Sequence, residues 1–270
     1  MSRKLVSVLI SVYDGDTSLF VRESVESILN QSYDNIEIIL IGDGLTKHDL
    51  IFEIEKLQGE YTAVLKYFPQ DVNKGLAACM NEAIFLAKGV FLARMDADDI
   101  MNSQRIEKQV EFLYKYKEVD IVGSWVIEFN MDSGAEKLVS FPLKHDEMLK
   151  SFGKRNPVAH PSVMMRKEFF EKAGSYPINT NTDEDTILWL NAFVGGCKFA
   201  NLEEPLTKMR VSDSFYGRRS GFYKAFSDLK NRFKVVRELG LGNLNYLFAF
   251  ARFFLQTIPS SSFKKFIYKN

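Results

Sequence analysis

Between residues 5 and 99, short apolar runs alternate with helix-length amphipathic stretches, and that alternation leaves few folds open. Leu5 to Tyr13, Ile36 to Ile41, Ala63 to Tyr67 and Val90 to Ala93 read as strands. Leu19 to Leu29, Asp49 to Leu57 and the stretch from Asn73-Lys74-Gly75 through Ala87 read as the helices between them. Strands separated by helices pair in parallel, and near-continuous apolar strands belong to a sheet covered on both faces. The expected class is α/β, with a Rossmann-like, mostly parallel central sheet flanked by helices.

The fourth strand ends abruptly in charge, as Val-Phe-Leu-Ala-Arg-Met-Asp-Ala-Asp-Asp from Val90 to Asp99. In open α/β sheets ligands bind outside the carboxyl ends of the strands, so Asp96, Asp98 and Asp99 are expected at the mouth of a cleft. Carboxylates this close repel one another unless a positive charge lies between them. A hard divalent cation, Mn²⁺ or Mg²⁺, completed by water and phosphate oxygens, fits that demand. The same residues also suit a solvated loop before the helix expected over Ser103 to Tyr116. Taken alone, this short motif leaves both readings open.

Beyond Tyr116 the pattern changes. Ile121 to Phe129, a turn at Asp132-Ser133-Gly134 and a run through Phe141 predict a hairpin. Lys167 to Ala173 and Thr186 to Val194 read as short helices stopped by Gly174 and by Gly195-Gly196. Residues 1–240 are expected to form one unit, with 1–116 as a nucleotide-binding half and 117–240 as an acceptor-binding half. Residues 241–270 read as an amphipathic helical tail: Leu244, Leu247, Phe248, Phe250, Phe253, Phe254, Leu255 and Ile258 leave a narrow polar stripe, followed by Lys264, Lys265 and Lys269. Such a segment either lies in a membrane interface against anionic lipid or packs on the domain.

Lys and Arg together number 35, as do Asp and Glu, so the chain has no bulk positive charge with which to bind nucleic acid. Its two cysteines, Cys79 and Cys197, lack metal-ligand spacing and read as free buried thiols of a reducing compartment. The N-terminal residues run directly into a strand without a cleavage-site pattern, and no apolar stretch is long enough to span a bilayer. A cytoplasmic protein, peripheral on the inner face of the membrane, is expected. No Gly-x-Gly-x-x-Gly follows the first strand and no Walker loop occurs, which disfavours dinucleotide oxidoreductases and P-loop enzymes.

Ser11-Val12-Tyr13, the segment Ser27 to Ser32, Asp43, Asn73-Lys74-Gly75, Asp96-Ala97-Asp98-Asp99 and Glu184-Asp185 together resemble, in order and spacing, the family 2 glycosyltransferases of GT-A fold. Gly42 to Thr46, Arg94-Met95-Asp96, Arg155-Asn156-Pro157, His160 to Val163 and Arg218-Arg219 are further similar to a bacterial subgroup that builds amylovoran and O-antigen repeats. The resemblance implies a UDP-sugar donor, a lipid-diphosphate-linked sugar acceptor and a divalent metal. By resemblance Asp43 accepts the uracil N–H, and Ser11, Val12, Tyr13, Asn73 and Gly75 line the nucleotide pocket. Asp98 is the implied metal ligand and Asp96 serves the ribose or metal waters, with Ala97 between them. Arg94 and Arg210 are assigned to the nucleotide-sugar, and Arg218 and Arg219 would suit a diphosphate. Asp185 is the implied general base, and Glu184, His160 and Trp189 form the acceptor side. Gly42, Thr186, Asn191 and Ser212 depart from the family's pattern and bear on acceptor identity rather than reaction class. The rivals are a nucleotidyltransferase, a glycosidase using Asp98 and Asp185, and a sugar-nucleotide-binding scaffold with little turnover.

Overall fold

The computed structural model describes residues 3–180, 183–212 and 221–257. The expected alternation forms as read: β1 (Val6–Val12), α1 (Ser18–Leu29), β2 (Ile36–Gly42), α2 (His48–Glu60), β3 (Leu65–Pro69), α3 (Leu76–Leu86) and β4 (Phe91–Arg94). β1 pairs in parallel with β2 and β4, and β2 with β3. β1, β2 and β4 are buried almost throughout, because helices cover the sheet on both sides.

The second half adds β5 (Ile100–Met101), α4 (Arg105–Lys115), β6 (Ile121–Asn130), β7 (Glu136–Val139), α5 (His145–Ser151), a 3₁₀ turn at His160–Ser162, β8 (Met164–Arg166), α6 (Phe169–Ala173), α7 (Glu184–Val194) and β9 (Phe199–Val211). The hairpin expected from Asp132-Ser133-Gly134 is β6–β7. The strand order is β3-β2-β1-β4-β8-β6-β9-β5, with β7 on β6. β8 runs antiparallel to β4, while β9 runs parallel to β6. Extension of the first sheet therefore forms the second half, and one core continues through both.

That sheet curls. In a flat sheet β4 and β9, three strand spacings apart, would stand about 14 Å from each other. Yet one side chain spans them: Arg105 donates from Nη2 to the carbonyl of Arg94 at 2.9 Å and from Nη1 to Thr207 Oγ1 at 3.2 Å. Its remaining side-chain hydrogen bonds reach the carbonyls of Pro161 and Val163, the side chain of Gln109 and Met95 Sδ. Burial pushes the guanidinium down to about 9, still charged at neutral pH. Replacing Arg105 by Met roughly keeps the volume but takes a donor from three backbone carbonyls in the core, of which that of Val163 keeps the Arg94 N–H. We expect a loss of about 3 kcal/mol in urea unfolding, and a loss under about 1 kcal/mol would contradict this role.

α8 (Phe222–Glu238) and α9 (Leu244–Thr257) close the described chain and pack against each other, with α8 also against α7. α9 is the helix expected in the tail. Lys264, Lys265 and Lys269 lie outside the described residues. Cys79 and Cys197 are free and buried, and burial pushes both thiols up to about 12, so neither offers a thiolate.

Candidate active site

β1, β2, β3 and β4 all end at one edge of the sheet, and β8, antiparallel to them, begins there. β9 starts at the opposite edge, so α7, which precedes it, carries its N-terminal residues to the same mouth. Both acidic motifs are thereby delivered to one place by topology.

On the β2 side, Asp43 is buried and its two carboxylate oxygens accept the backbone N–H groups of Lys74 at 2.6 Å and Gly75 at 3.0 Å. The turn that aims both amides at it requires Gly75 at φ 84°, a conformation that other residues rarely adopt. Each carboxylate oxygen retains a second lone pair for a ligand N–H. Asn73 donates from Nδ2 to the Asp43 carbonyl at 3.3 Å. Tyr13 is exposed at the end of β1, whereas Val12 is fully buried and offers only backbone. Ser11 is half-buried.

On the β4 side, carboxylate oxygens of Asp96, Asp98 and Asp99 lie within 4.8 Å of one another. Asp96 forms an ion pair with Arg94, whose buried guanidinium leaves Nε and Nη1 without partners. Asp99 is buried; its Oδ1 accepts the Arg210 backbone N–H at 2.8 Å and its Oδ2 has no partner. Desolvation, then the charge of Asp96, pushes Asp98 up to about 6, and Asp99 is raised well above the carboxylate range for the same reasons with Asp98 added. Such clustered oxygen donors, two of them held in unfavourable ionisation, suit a hard divalent cation.

Arg210 corrects the sequence assignment. Its Nε donates to the Asp98 carbonyl at 2.7 Å, Nη2 pairs with Glu23 at 2.6 Å, and the guanidinium lies over Phe20 and Phe129. Nη1 donates to Met131 Sδ at 3.1 Å, so each guanidinium nitrogen is engaged within the protein, and with its backbone bond to Asp99 the residue ties β9 to the acidic loop. Ala97 is buried within that loop. Arg218 and Arg219 lie outside the described residues.

On the α7 side, Asp185 is half-buried, accepting Asn156 Nδ2 on Oδ2 at 2.9 Å and the Thr186 N–H on Oδ1 at 2.6 Å. Glu184 beside it is raised by burial and by the Asp185 charge, while Arg94 opposes the rise. Arg94 is thus felt by carboxylates of both motifs. Asp183 enters the helix in the left-handed region at φ 64° and accepts Asn231 Nδ2 at 3.3 Å.

Trp189 is a second correction. It is completely buried, packed edge-on to His160, Phe169 and Phe199, and has no surface to offer an acceptor. His160 is likewise buried, its Nε2 paired with Tyr176 Oη at 2.8 Å. Burial, with Arg94 acting in the same direction, holds its imidazole well below the usual range and so neutral. Arg105, Tyr176 and Arg232 were not singled out from sequence, and the Asn156 motif carried no role there; no local signal distinguishes them from ordinary loop or surface-helix residues.

The sequence model described as "Glycosyl transferase family 2" matches residues 7–174. The chain is 30% identical over 264 residues to an Escherichia coli UDP-Gal:alpha-D-GlcNAc-diphosphoundecaprenol beta-1,3-galactosyltransferase, covering 97% of this chain and 94% of that one. It is 31% identical to the amylovoran biosynthesis glycosyltransferase AmsE of Erwinia amylovora, covering 81% and 80%. Among solved structures, a Pyrobaculum calidifontis mannosyltransferase in complex with GDP-Man and Mn²⁺ matches with TM-score 0.66 at 14% identity, covering 93% of this chain and 74% of that one. That likeness identifies the GT-A fold.

Proposed function

The chain belongs to glycosyl transferase family 2, and from that premise we propose a metal-dependent, inverting hexosyltransferase. Its donor is a UDP-sugar, with galactose or glucose as the hexose, and its acceptor a sugar on a lipid diphosphate used in bacterial O-antigen, capsule or exopolysaccharide synthesis. The observation that carries this reading is the meeting of two acidic motifs at one sheet edge, one clustered for a cation and the other held singly by hydrogen bonds. The name of the Escherichia coli relative supports the donor and the acceptor class.

Asp43 selects the base, because a carboxylate accepts a uracil N–H and rejects a ring nitrogen that is itself an acceptor. Asp98 and Asp96 would hold Mn²⁺ or Mg²⁺, whose Lewis acidity neutralises charge on the departing nucleotide diphosphate. Asp185 takes the acceptor hydroxyl proton as that oxygen attacks the anomeric carbon opposite the leaving group, which inverts the configuration. Glu184, beside it, orients the acceptor.

The test is nucleotide release from UDP-, GDP- and dTDP-sugars with a synthetic GlcNAc-diphosphate-lipid, in Mn²⁺ or in EDTA. Metal-dependent UDP release with one hexose is expected. UDP binding without turnover would instead indicate a scaffold, and pyrophosphate release from an NTP a nucleotidyltransferase.

A lipid-borne acceptor suits a peripheral location at the cytoplasmic membrane face. In support, Phe222, Phe226, Phe253 and Phe254 form linked ring contacts on α8 and α9, and Phe222, Phe226 and Phe254 are exposed. No helix among the described residues is long and apolar enough to cross a membrane. Replacing Phe226 and Phe254 by Ser should weaken co-sedimentation with phosphatidylglycerol vesicles at least roughly tenfold, since each buried aromatic contributes about 1.5–3 kcal/mol. Unchanged sedimentation would remove this face from the membrane contact.

A further inference from the structure

We infer that Asn156 is the positioning residue of Asp185, locked by a chain of charged side chains that starts on α9. The inference rests on the reading of Asp185 as the base. Asn156 donates from Nδ2 to Asp185 Oδ2 at 2.9 Å. Its Oδ1 accepts Thr186 Oγ1 at 3.0 Å and Arg232 Nη2 at 3.0 Å.

A carboxamide has one accepting end and one donating end, and a guanidinium only donates. Arg232 therefore dictates which way the Asn156 amide faces: were it reversed, two donors would confront each other at Arg232 and two acceptors at Asp185. With this orientation the amide N–H always faces Asp185 Oδ2 and fixes where that oxygen sits. The Thr186 N–H holds the other oxygen at 2.6 Å, with the Thr186 hydroxyl 3.3 Å from the same oxygen, so the rotation of the carboxylate is fixed.

Arg232 is itself 4% exposed, a cation that burial tolerates only when paired. It donates from Nη1 to the Phe152 carbonyl at 2.9 Å and pairs with Asp228, one turn earlier on α8, at 3.5 Å. The other oxygen of Asp228 takes Arg252 Nε from α9 at 2.7 Å. The chain Arg252, Asp228, Arg232, Asn156, Asp185 thus runs from the helix with exposed aromatic residues to the base. Disturbance of α9 is transmitted inward through hydrogen bonds and the Asp228–Arg232 ion pair, so the orientation of the base depends on the seating of α8 and α9.

Two readouts on the full chain test this. In ¹H–¹⁵N NMR, the Asn156 side-chain amide pair, assigned by its loss in Asn156→Ala, should shift in both Asp185→Asn and Arg252→Ala. If it stays in place in Arg252→Ala, the chain from α9 is overturned, whatever the enzyme's activity. In turnover assays with the UDP-sugar and lipid acceptor found active, Asn156→Ala should lower kcat roughly 30-fold with the donor KM within about twofold. It should add no further loss to Asp185→Asn, and Thr186→Val should cost only about threefold. Undiminished kcat in Asn156→Ala, where Asp185→Asn is inactive, overturns the positioning role alone. Full activity in Asp185→Asn overturns the base reading itself, and the amide shifts still decide whether the chain connects.

Discussion

Asp98→Asn is expected to lower UDP-sugar turnover by roughly 10³-fold, corresponding to about 4 kcal/mol of transition-state stabilisation from a Lewis acid. The amide keeps the size of the side chain but supplies a neutral, weaker ligand, so metal-dependent activation should be lost. The same carboxylate sets a pH dependence. Asp98 is pushed up to about 6 by desolvation and by Asp96. A carboxyl group raised on folding favours the folded state below its unfolded value, near 3.8, and that contribution is lost as pH rises through about 6. A bound divalent cation takes the place of the proton. Addition of Mn²⁺ should therefore raise Tm strongly at pH 7.5 and progressively less as pH falls through 6 toward 4, and the Asp98→Asn protein should gain little at either pH. A full Mn²⁺-dependent rise in Tm at pH 7.5 in that variant would move the cation away from Asp98.

Asp185→Asn is the second large effect, with kcat expected to fall about 10³-fold and UDP binding retained, since loss of a general base costs roughly 10²–10⁴. The two acidic motifs should separate cleanly in calorimetry. Asp185→Asn leaves Mn²⁺-dependent UDP affinity intact, whereas Asp98→Asn removes its metal dependence. The substitution leaves the Thr186 N–H an oxygen acceptor but sets an NH2 group against the Asn156 Nδ2 donor, so one hydrogen bond at the α7 entry is lost while the Thr186 contact holds the helix start, and the loss of activity should appear in kcat. Retained turnover would assign the proton to another group, with adjacent Glu184, raised by burial and by Asp185, the first to substitute.

The two halves of the chain differed in how far they could be read. β1 to β4 and the helices between them are legible because each strand is a short apolar run, α1 and α2 each set their buried residues along one stripe, and α3 is apolar over helical length, all local properties. β9 is not. Glu203, Glu204 and Pro205 interrupt it where it bulges against β6 between Ser124 and Val126, and its buried residues, with Leu206 and Thr207 adjacent in its middle, do not follow the alternation of a strand. α8 is charged along much of its length and carries no strong apolar signature, although Asp228 and Arg232 on it are buried.

At the site the division follows the same physics. Which residue types meet is written in the sequence: an apolar strand must end somewhere, and carboxylates placed at its end, like those opening α7, arrive at a sheet edge by topology alone. What each side chain touches was decided by the curl of the sheet. Closing β9 toward β4 turned Arg210 inward onto Glu23 and the Asp98 carbonyl, and placed Arg105 between Arg94 and Thr207. Packing of α7 on the aromatic core buried Trp189 and withdrew it from any acceptor. Periodicity along a chain specifies elements one at a time, whereas the partner of a buried cation is set by segments as far apart as residues 105 and 207. Fold class and acidic motifs were therefore determined by sequence alone, and the assignment of cations and aromatics to support or substrate by tertiary structure, because desolvated charge must find its partner wherever the chain brings one.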